Sequence, residues 1–458
     1  MRSAEAGFWW RSIGGAPPAR APLAGDCEVD VAIVGAGYTG LWTAYYLKRA
    51  EPSLRIVVLE RDFAGFGASG RNGGWVSGFF SGPARVYERR GGPGSYAALQ
   101  RAMFDTVDEL ARVVELEQID AELIRGGHLG VALNAAQLTR QREEIAAARR
   151  HGLREEDLRA LSVDELAGRL NVAGAVGATF TPHVARVHPA KLLVGLAGAV
   201  ERLGVVIHEA TPVSEIRPRE AVTPLGTVRA RWVVRATEGY TARLRGLRRA
   251  LVPMNSSMIV TEPLPEDTWT EIGWRGRELL SDAAHVYCYL QRTADGRIAI
   301  GGRGTPYRFA SGTDRCGETA PATIASLRAK LSSMFPALAG SEIDHAWSGV
   351  LGVPRDWCMS IDADEDSGLA WAGGYVGEGV AAANLAGRTM RDLIRAEHTP
   401  LTRLAWVGRR PPRWEPEPLR WGAIHAVYAL YRRADRSEAR SGRPSRLGRL
   451  VDAASGRE

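Results

Sequence analysis

A GxGxxG turn set between two apolar runs constrains this chain more than any other feature. Val31 to Val34 is long enough for a buried strand, and Gly35, Gly37 and Gly40 follow it. Leu41 to Leu47 then has helical spacing, with Leu41, Ala44, Tyr45 and Leu47 available for one face. Ile56 to Leu59 is a second buried-strand run, and it ends at Glu60. Strand, glycine turn, helix, strand and acid in this order predict a dinucleotide-binding unit. Gly35 permits a tight exit from the strand, Gly37 lets a pyrophosphate approach the backbone, and Gly40 lets helix and strand pack closely. The helix start presents unpaired N–H groups and a partial positive charge to the phosphates. Glu60 lies 20 residues past Gly40, where a carboxylate accepts hydrogen bonds from ribose hydroxyls and repels a 2′-phosphate.

A second cluster, GFGASGRNGG, separates the two common dinucleotides. Gly65, Gly67, Gly70, Gly73 and Gly74 crowd the stretch just after the acidic strand end. A nicotinamide domain has no need of glycine there. A flavin does, because the chain must pass close beneath a broad planar ring. Ser69, Arg71 and Asn72 add donors for a pyrophosphate or a flavin carbonyl.

The 458 residues suffice for two or three domain-sized units with large cores. No apolar run reaches about 18 residues, so no membrane span is expected. The N-terminus, MRSAEAGFWWRSIGGAPPARAPLAGD, lacks a signal-peptide core, which makes a cytoplasmic location the default expectation. Cys27, Cys288, Cys316 and Cys358 form no CxxC and the histidines no HExxH, so no metal site is expected. The net charge of +7 is carried almost wholly by arginine, Lys48, Lys191 and Lys330 being the only lysines. These arginines are spread along the chain without a recognition motif, so no nucleic-acid partner is expected.

DVAIVGAGYTGLWTAYYL and VVLERDFAGFGASGRNGG resemble the FAD-dependent D-amino-acid oxidase superfamily, in the branch containing glycine oxidase and gamma-glutamylputrescine oxidase. VHPAKLLVGLAGAVERLGVVIHEATPVSEI, RARWVVRATEGYT, MIVTEPL, DGRIAIGGRGTPY and LAWAGGYVGEGVAAANLAGRTMRDLI extend the resemblance over roughly residues 28 to 397. It implies a Rossmann-like FAD-binding domain with an inserted antiparallel β-sheet substrate domain. The expected FAD-binding segments are 28–90, 180–245 and 368–400. The substrate domain is expected over 91–179 and 246–367, and a linker with a basic C-terminal helix and tail over 401–458. The candidate cofactor residues are Gly35, Gly37, Tyr38, Thr39, Gly40, Glu60, Arg61, Gly67, Ala68, Ser69, Arg71, Asn72, Gly73 and Gly74 in the first part. Val213, at the position that meets adenine in the family, Ala236, Thr237, Gly374, Gly377, Gly379 and Val380 complete the set. Two departures stand out. Glu238 follows Ala236-Thr237 where a small or amide-bearing residue is usual, and Glu378 lies in GYVGEGV where His, Ser or another small polar residue is usual. A charge at Glu378 facing the flavin would disfavour its reduced anionic form. The GGYVGEG segment holds no Cys or His, so non-covalent FAD is expected.

Strand-like stretches at 126–133, 256–262, 284–292, 297–302 and 344–352 belong to the expected substrate sheet, with a hairpin turn at Ala294-Asp295-Gly296. Val213 to Ile216 is also expected to be a strand. Helices are expected over 94–118, 135–150, Pro189 to Leu203 and Val380 to Ile394. RRPPRWEPEP (409–418) reads as a linker. The helix after it places Trp421, Ile424, Val427, Leu430 and Tyr431 toward the body and arginines outward, and the last dozen residues are expected to be disordered. That helix suits packing on the body better than peripheral contact with an anionic membrane.

The resemblance implies oxidation of an amine or amino acid to an imine by hydride transfer to flavin, with electrons returned to O2. The alternatives are a dehydrogenase serving a quinone or carrier protein, and a flavin-binding protein without turnover. Candidate substrate-pocket residues are Tyr287 and Tyr289, two apart on one strand, Arg303 at a strand end as a carboxylate clamp, and His285 and Trp347 on neighbouring strands. No general base is assigned, because an amine bound uncharged needs none. Some relatives place a lysine near the flavin to aid reaction with oxygen, and none of the three lysines here falls on a pocket strand.

Overall fold

Alternation within the apolar run Val31–Val34 decides which layers form around it. In the computed structural model, which describes residues 7–313 and 316–455, this run is the inner half of the strand Cys27–Val34. That strand pairs in parallel with both Ile56–Leu59 and Gly226–Arg235. Val31 and Ile33 point into a large core shared with the helices Tyr38–Ala50, Pro189–Arg202 and Gly379–Ile394. Ala32 and Val34 point the other way, into a smaller core with Val57, Leu59, Val228 and Val233. A strand apolar on both faces is what a covered parallel sheet requires. Val206–His208 extends the sheet on one side, Leu369–Gly373 and then Ser360–Asp364 on the other. The 215–223 hairpin also pairs with Gly226–Arg235, and its first strand begins at Glu215, leaving Val213 just outside it.

The second sheet has eight strands, in the order Ile343–Val353, Val252–Thr261, Ile298–Gly302, Cys288–Arg292, Leu279–Asp282, His128–Ala132, Gly177–Thr181, Arg159–Leu161. Its pairs are antiparallel except Leu279–Asp282 with His128–Ala132, which is parallel. The architecture is therefore a largely parallel cofactor-type sheet beside a separate, largely antiparallel one. The helix expected over 135–150 runs over Ala135–Arg150, capped by Asn134 on Gln137 N. Pro189 opens the helix Pro189–Arg202, and Gly204 turns the chain out at φ 88°.

The two ends of the chain differ from expectation. Phe8–Ser12 forms a short helix whose Phe8, Trp9 and Trp10 are buried, although FWW lies in a stretch that carries no periodic signal. Trp10 fills space against Phe63 and Gly70. At the other end, Arg446–Ser455 is helical rather than disordered: Tyr431 donates to Asp452 Oδ1 at 2.6 Å and Val451 is buried. The last three residues lie outside the described set. The helix Leu419–Ser441 packs on the body through Ile424, Tyr428, Tyr431 and Ala434, while Trp421 and Leu430, expected on that face, are exposed. The buried stripe includes Arg420 and Glu438, charged residues that an apolar count passes over. Arg420 is satisfied by Glu417, Ser311 and the Arg248 carbonyl. Among the described residues no helix is long and apolar enough to cross a membrane.

Trp10→Ala is expected to destabilise the protein by about 3–5 kcal/mol, the usual range for removing a fully buried aromatic. Urea unfolding of the two proteins measures this directly.

Candidate functional site

The carbonyl of Gly35 fixes where the first helix can lie. A Cβ at Gly40 would overlap that oxygen, so only glycine lets Tyr38–Ala50 approach the strand end this closely. Gly35 itself has φ 108°, and a Cβ there would fall 2.6 Å from the Ala236 carbonyl oxygen. Gly37 precedes the helix without a side-chain cap, and a Cβ on it would reach within 2.8 Å of Ser69 Oγ. Ser69 instead accepts from Tyr38 N at 2.9 Å, which locks the second glycine cluster onto the first. Glu60 accepts from Ala36 N at 2.8 Å and Asp62 N at 3.0 Å. Burial pushes its carboxyl up to about 7, against the pull of those two N–H groups.

These groups open onto one elongated cavity of about 2090 Å³ of empty space, its mouth included. Of the sequence-derived cofactor residues, Gly35, Gly37, Tyr38, Thr39, Glu60, Arg61, Gly67, Ala68, Ser69, Arg71, Asn72 and Gly73 line it, as do Val213, Ala236, Thr237, Gly377, Gly379 and Val380. Gly40, Gly74 and Gly374 do not. Gly40 serves the helix–strand contact just described. Gly74, at φ 71°, makes room for Gln291 and the Val187 carbonyl, and Gly374, at φ 77°, sits against Pro354. Gly70 also lies off the cavity wall, beneath Trp10. Part of the second cluster thus serves protein packing rather than ligand clearance. Asn72 is likewise occupied: its Nδ2 donates to Ser69 O at 2.7 Å and its Oδ1 accepts from Gly74 N at 2.8 Å.

A second helix N-terminus faces the same cavity. Gly379–Ile394 starts after Glu378, which provides no side-chain cap. Tyr375 Oη lies 3.1 Å from Thr39 Oγ1, tying the two helix starts together. Glu238, at φ 41°, accepts from Gly374 N and Tyr375 N at 3.0 Å each, so the acid that departs from the family pattern holds the GGYVGEG turn in place. Burial raises its carboxyl to about 7. Glu378 lines the cavity, and burial raises its carboxyl too, toward the neutral form. Two uncapped helix starts on one long cavity, with Trp75 Nε1 buried on its wall without a partner among the described residues, fit a ligand that brings both phosphates and ring acceptors.

The far end of the cavity is a chamber walled by Ser256, Tyr287, Tyr289, Arg303 and Tyr428. Tyr289 lies over Gly301, where a Cβ would strike its ring, and its hydroxyl is 2.9 Å from Ser256 Oγ. Tyr287 precedes the strand, with its ring 6.4 Å from that of Tyr289, and is 45% exposed at the rim. Arg303 donates to the Asn255 carbonyl at 2.9 Å and pairs with no carboxylate among the described residues.

Two expected pocket residues have other employment. His285 lies in the turn before the strand Cys288–Arg292, and two strands separate that strand from the one carrying Trp347. Trp347 is covered by Phe8 and Trp9 and donates to the Arg71 carbonyl at 2.9 Å, so it braces the glycine loop from behind. Trp9 does the same at the Asn72 carbonyl, at 2.7 Å. His285 borders the chamber, but its Nε2 is 3.1 Å from Glu438 and 2.9 Å from Arg140, and its ring stacks on Tyr431 at 5.3 Å. His285, Asp435 and Glu438 have metal-ligand types close together, yet Arg140 already supplies the positive charge, 2.6 Å from Glu438. Sequence reasoning missed Ser256, Tyr428 and the Trp9 brace. Tyr428 had a signal, since it shares the helical stripe of Ile424 and Tyr431, but that helix read as remote from the site.

Residues 30–393 match the family of FAD dependent oxidoreductases designated DAO. The chain is 32% identical over 378 residues to gamma-glutamylputrescine oxidoreductase of Escherichia coli K12, covering 80% of this chain and 84% of that protein. The crystal structure of glycine oxidase from Geobacillus kaustophilus superposes with a TM-score of 0.69 at 21% identity, over 81% of this chain and 96% of that one. L-Amino acid deaminase from Proteus myxofaciens, solved with anthranilate, gives a TM-score of 0.67 at 18% identity over 86% and 95%. At these identities the two structures establish the fold.

The raised carboxyls have a measurable sign. Glu238 titrates near 7 when folded and near its ordinary 4.5 when unfolded, so the folded apoprotein holds the extra proton between those values. Stability of the apoprotein should therefore fall as pH rises from about 5 to 7, by up to about 3 kcal/mol from this residue. Glu60 acts in the same direction. Urea unfolding at pH 5 and pH 8 should show a smaller loss in Glu238→Gln than in the wild type.

Proposed function

Because this chain belongs to the DAO family of FAD dependent oxidoreductases, we propose that it oxidises a C–N bond of an amine or amino acid to an imine, with FAD held non-covalently. When bound, FAD supplies the hydride-accepting chemistry. The turn Gly35–Thr39 and Ser69 would hold the phosphates, Glu60 the ribose, and Val213 with Arg61 the adenine end. Ala236, Thr237, Gly73 and the start of Gly379–Ile394 would hold the ring. None of the four cysteines lines the cavity, and His285 on its wall is engaged by Glu438 and Arg140, which supports the non-covalent reading.

The observation that carries the substrate class is Arg303, a half-buried guanidinium on the chamber wall whose protein acceptor is a neutral carbonyl. A charge so placed calls for an anion from the substrate. Arg303 would take the carboxylate, while Tyr289, fixed by Ser256 and Gly301, sets the wall along which the carbon chain lies. Trp75, Tyr289 and Tyr428 give the wall there an aromatic lining. No group is assigned as base: His285 is held by Glu438 and Arg140, and an amine entering in its neutral form can give up hydride without prior deprotonation, the resulting iminium releasing its N–H proton to water to become the imine.

The electrons pass to O2 or to another acceptor, and lysine placement favours the second. Lys191 pairs with Asp120 and Glu122, Lys330 with Asp282, and Lys48 binds the Pro52 and Leu54 carbonyls. None lines the cavity.

Anaerobic bleaching of the flavin, tested against amines, D- and L-amino acids and N-methyl amino acids, is the direct test; bleaching by none of them refutes the reading. Arg303→Met should raise KM for a carboxylate-bearing substrate roughly a hundredfold, the loss of one buried charge-assisted contact, with kcat changed far less. In stopped flow, O2 should reoxidise the reduced enzyme more slowly than an artificial quinone does.

A further inference from the structure

We infer that the C-terminal helix Leu419–Ser441 is the specificity wall of the substrate chamber, with Tyr428 closing it over Arg303 so that a carboxylate fits there only as the terminal group of the substrate. The inference rests on the amine-oxidation reading for its substrate class. The helix lies beyond residue 393, where the family-matched stretch ends. It nevertheless supplies one side of the chamber. Tyr428 is 3% exposed, and the Arg303 guanidinium carbon lies 5.8 Å from the centroid of its ring. The same ring therefore lies against the cation and fills the space past it.

The helix is fastened on both sides of this contact. On one side, Asp435 accepts from His285 N at 2.8 Å and from Val286 N at 3.0 Å, gripping the backbone that leads into Tyr287 and Tyr289. Glu438 adds His285 Nε2 and Arg140, and Tyr431 stacks on the imidazole. On the other side, Arg432 donates to the Gly304 carbonyl at 2.8 Å, and His425 Nε2 lies 2.9 Å from the Tyr307 carbonyl oxygen. Gly304 is the next residue after Arg303. The helix thus spans the two backbone segments that present the tyrosines and the arginine, and it sets the distance between them. His285, Asp435 and Glu438 are positioning residues for this wall.

A rigid phenol behind the guanidinium leaves no path for a substrate that continues past its carboxylate. An ester or amide at that point loses the charge pairing and meets the ring as well. Removing the ring relieves the second penalty and leaves the first.

The test uses the FAD-loaded full chain in four forms: wild type, Tyr428→Phe, Tyr428→Ala and Asp435→Asn. Calorimetry with glutarate and with its dimethyl ester reads the wall without turnover. Wild type should bind the acid and discriminate strongly against the ester. Tyr428→Ala should weaken acid binding five- to tenfold and reduce the discrimination about tenfold, while Tyr428→Phe keeps the discrimination and weakens acid binding by a smaller factor. Asp435→Asn, which does not itself line the cavity, should shift the discrimination in the same direction as Tyr428→Ala. Anaerobic bleaching with glycine, β-alanine and their methyl esters should show the same pattern in KM. A discrimination ratio unchanged within twofold in Tyr428→Ala, at wild-type flavin content, overturns the inference. Should no amine bleach the wild-type flavin, the amine-oxidation reading falls, and the glutarate ratio alone decides the wall.

Discussion

The contact between the first helix and the Gly35 carbonyl is the constraint on which the rest of the site depends. With no side chain at position 40, the helix start is driven up against the strand end, so its uncapped N–H groups stand at the mouth of the crevice. Ser69 then attaches the second glycine loop to that start, and Tyr375 attaches the second helix start to Thr39. Glu238 joins the closing turn to the strand that ends at Arg235. Each link presupposes the one before it. A larger residue at position 40 would displace the helix and, with it, every group that refers its position to Tyr38 or Thr39.

The parallel sheet and its glycine turn were legible because their signals are local. An apolar run, three glycines and an acid lie within one short stretch, and each has a single conformational meaning. The helix over 135–150 was equally plain from its charged flanks, and the one expected from Pro189 to Leu203 from its opening proline and closing glycine. The roles within the site were less so. Glycine content does not say what the missing side chain makes room for: Gly37 and Gly73 face the cavity, while Gly70 and Gly74 accommodate Trp10 and Gln291. Strand pattern gives the face of a residue but not its place across the sheet. Trp347 and Tyr289 stand in the same cross-strand row, through Met258 and Gly301, yet one reaches the chamber and the other lies under the N-terminal helix.

The least legible parts are contacts between the ends of the chain and its middle. Nothing in FWW at 8–10 announces that Trp9 will reach the Asn72 carbonyl, and nothing in the arginine-rich C-terminal helix announces Tyr428 in the chamber. Such contacts are decided by which surfaces remain open once the two sheets have formed, and that information is distributed over the whole chain. Both additions act on the site from outside its cofactor turns. One supports the second glycine loop, and the other bounds the far chamber of the cavity.

The brace on the glycine loop also bears on synthesis. Phe8 and Trp9 are made well before their partner Trp347, which follows more than three hundred residues later. Throughout that interval the loop has no backing and the leading tryptophans have no berth. A nascent chain therefore carries this aromatic surface uncovered until Trp347 has been made, the kind of exposure that favours aggregation during folding.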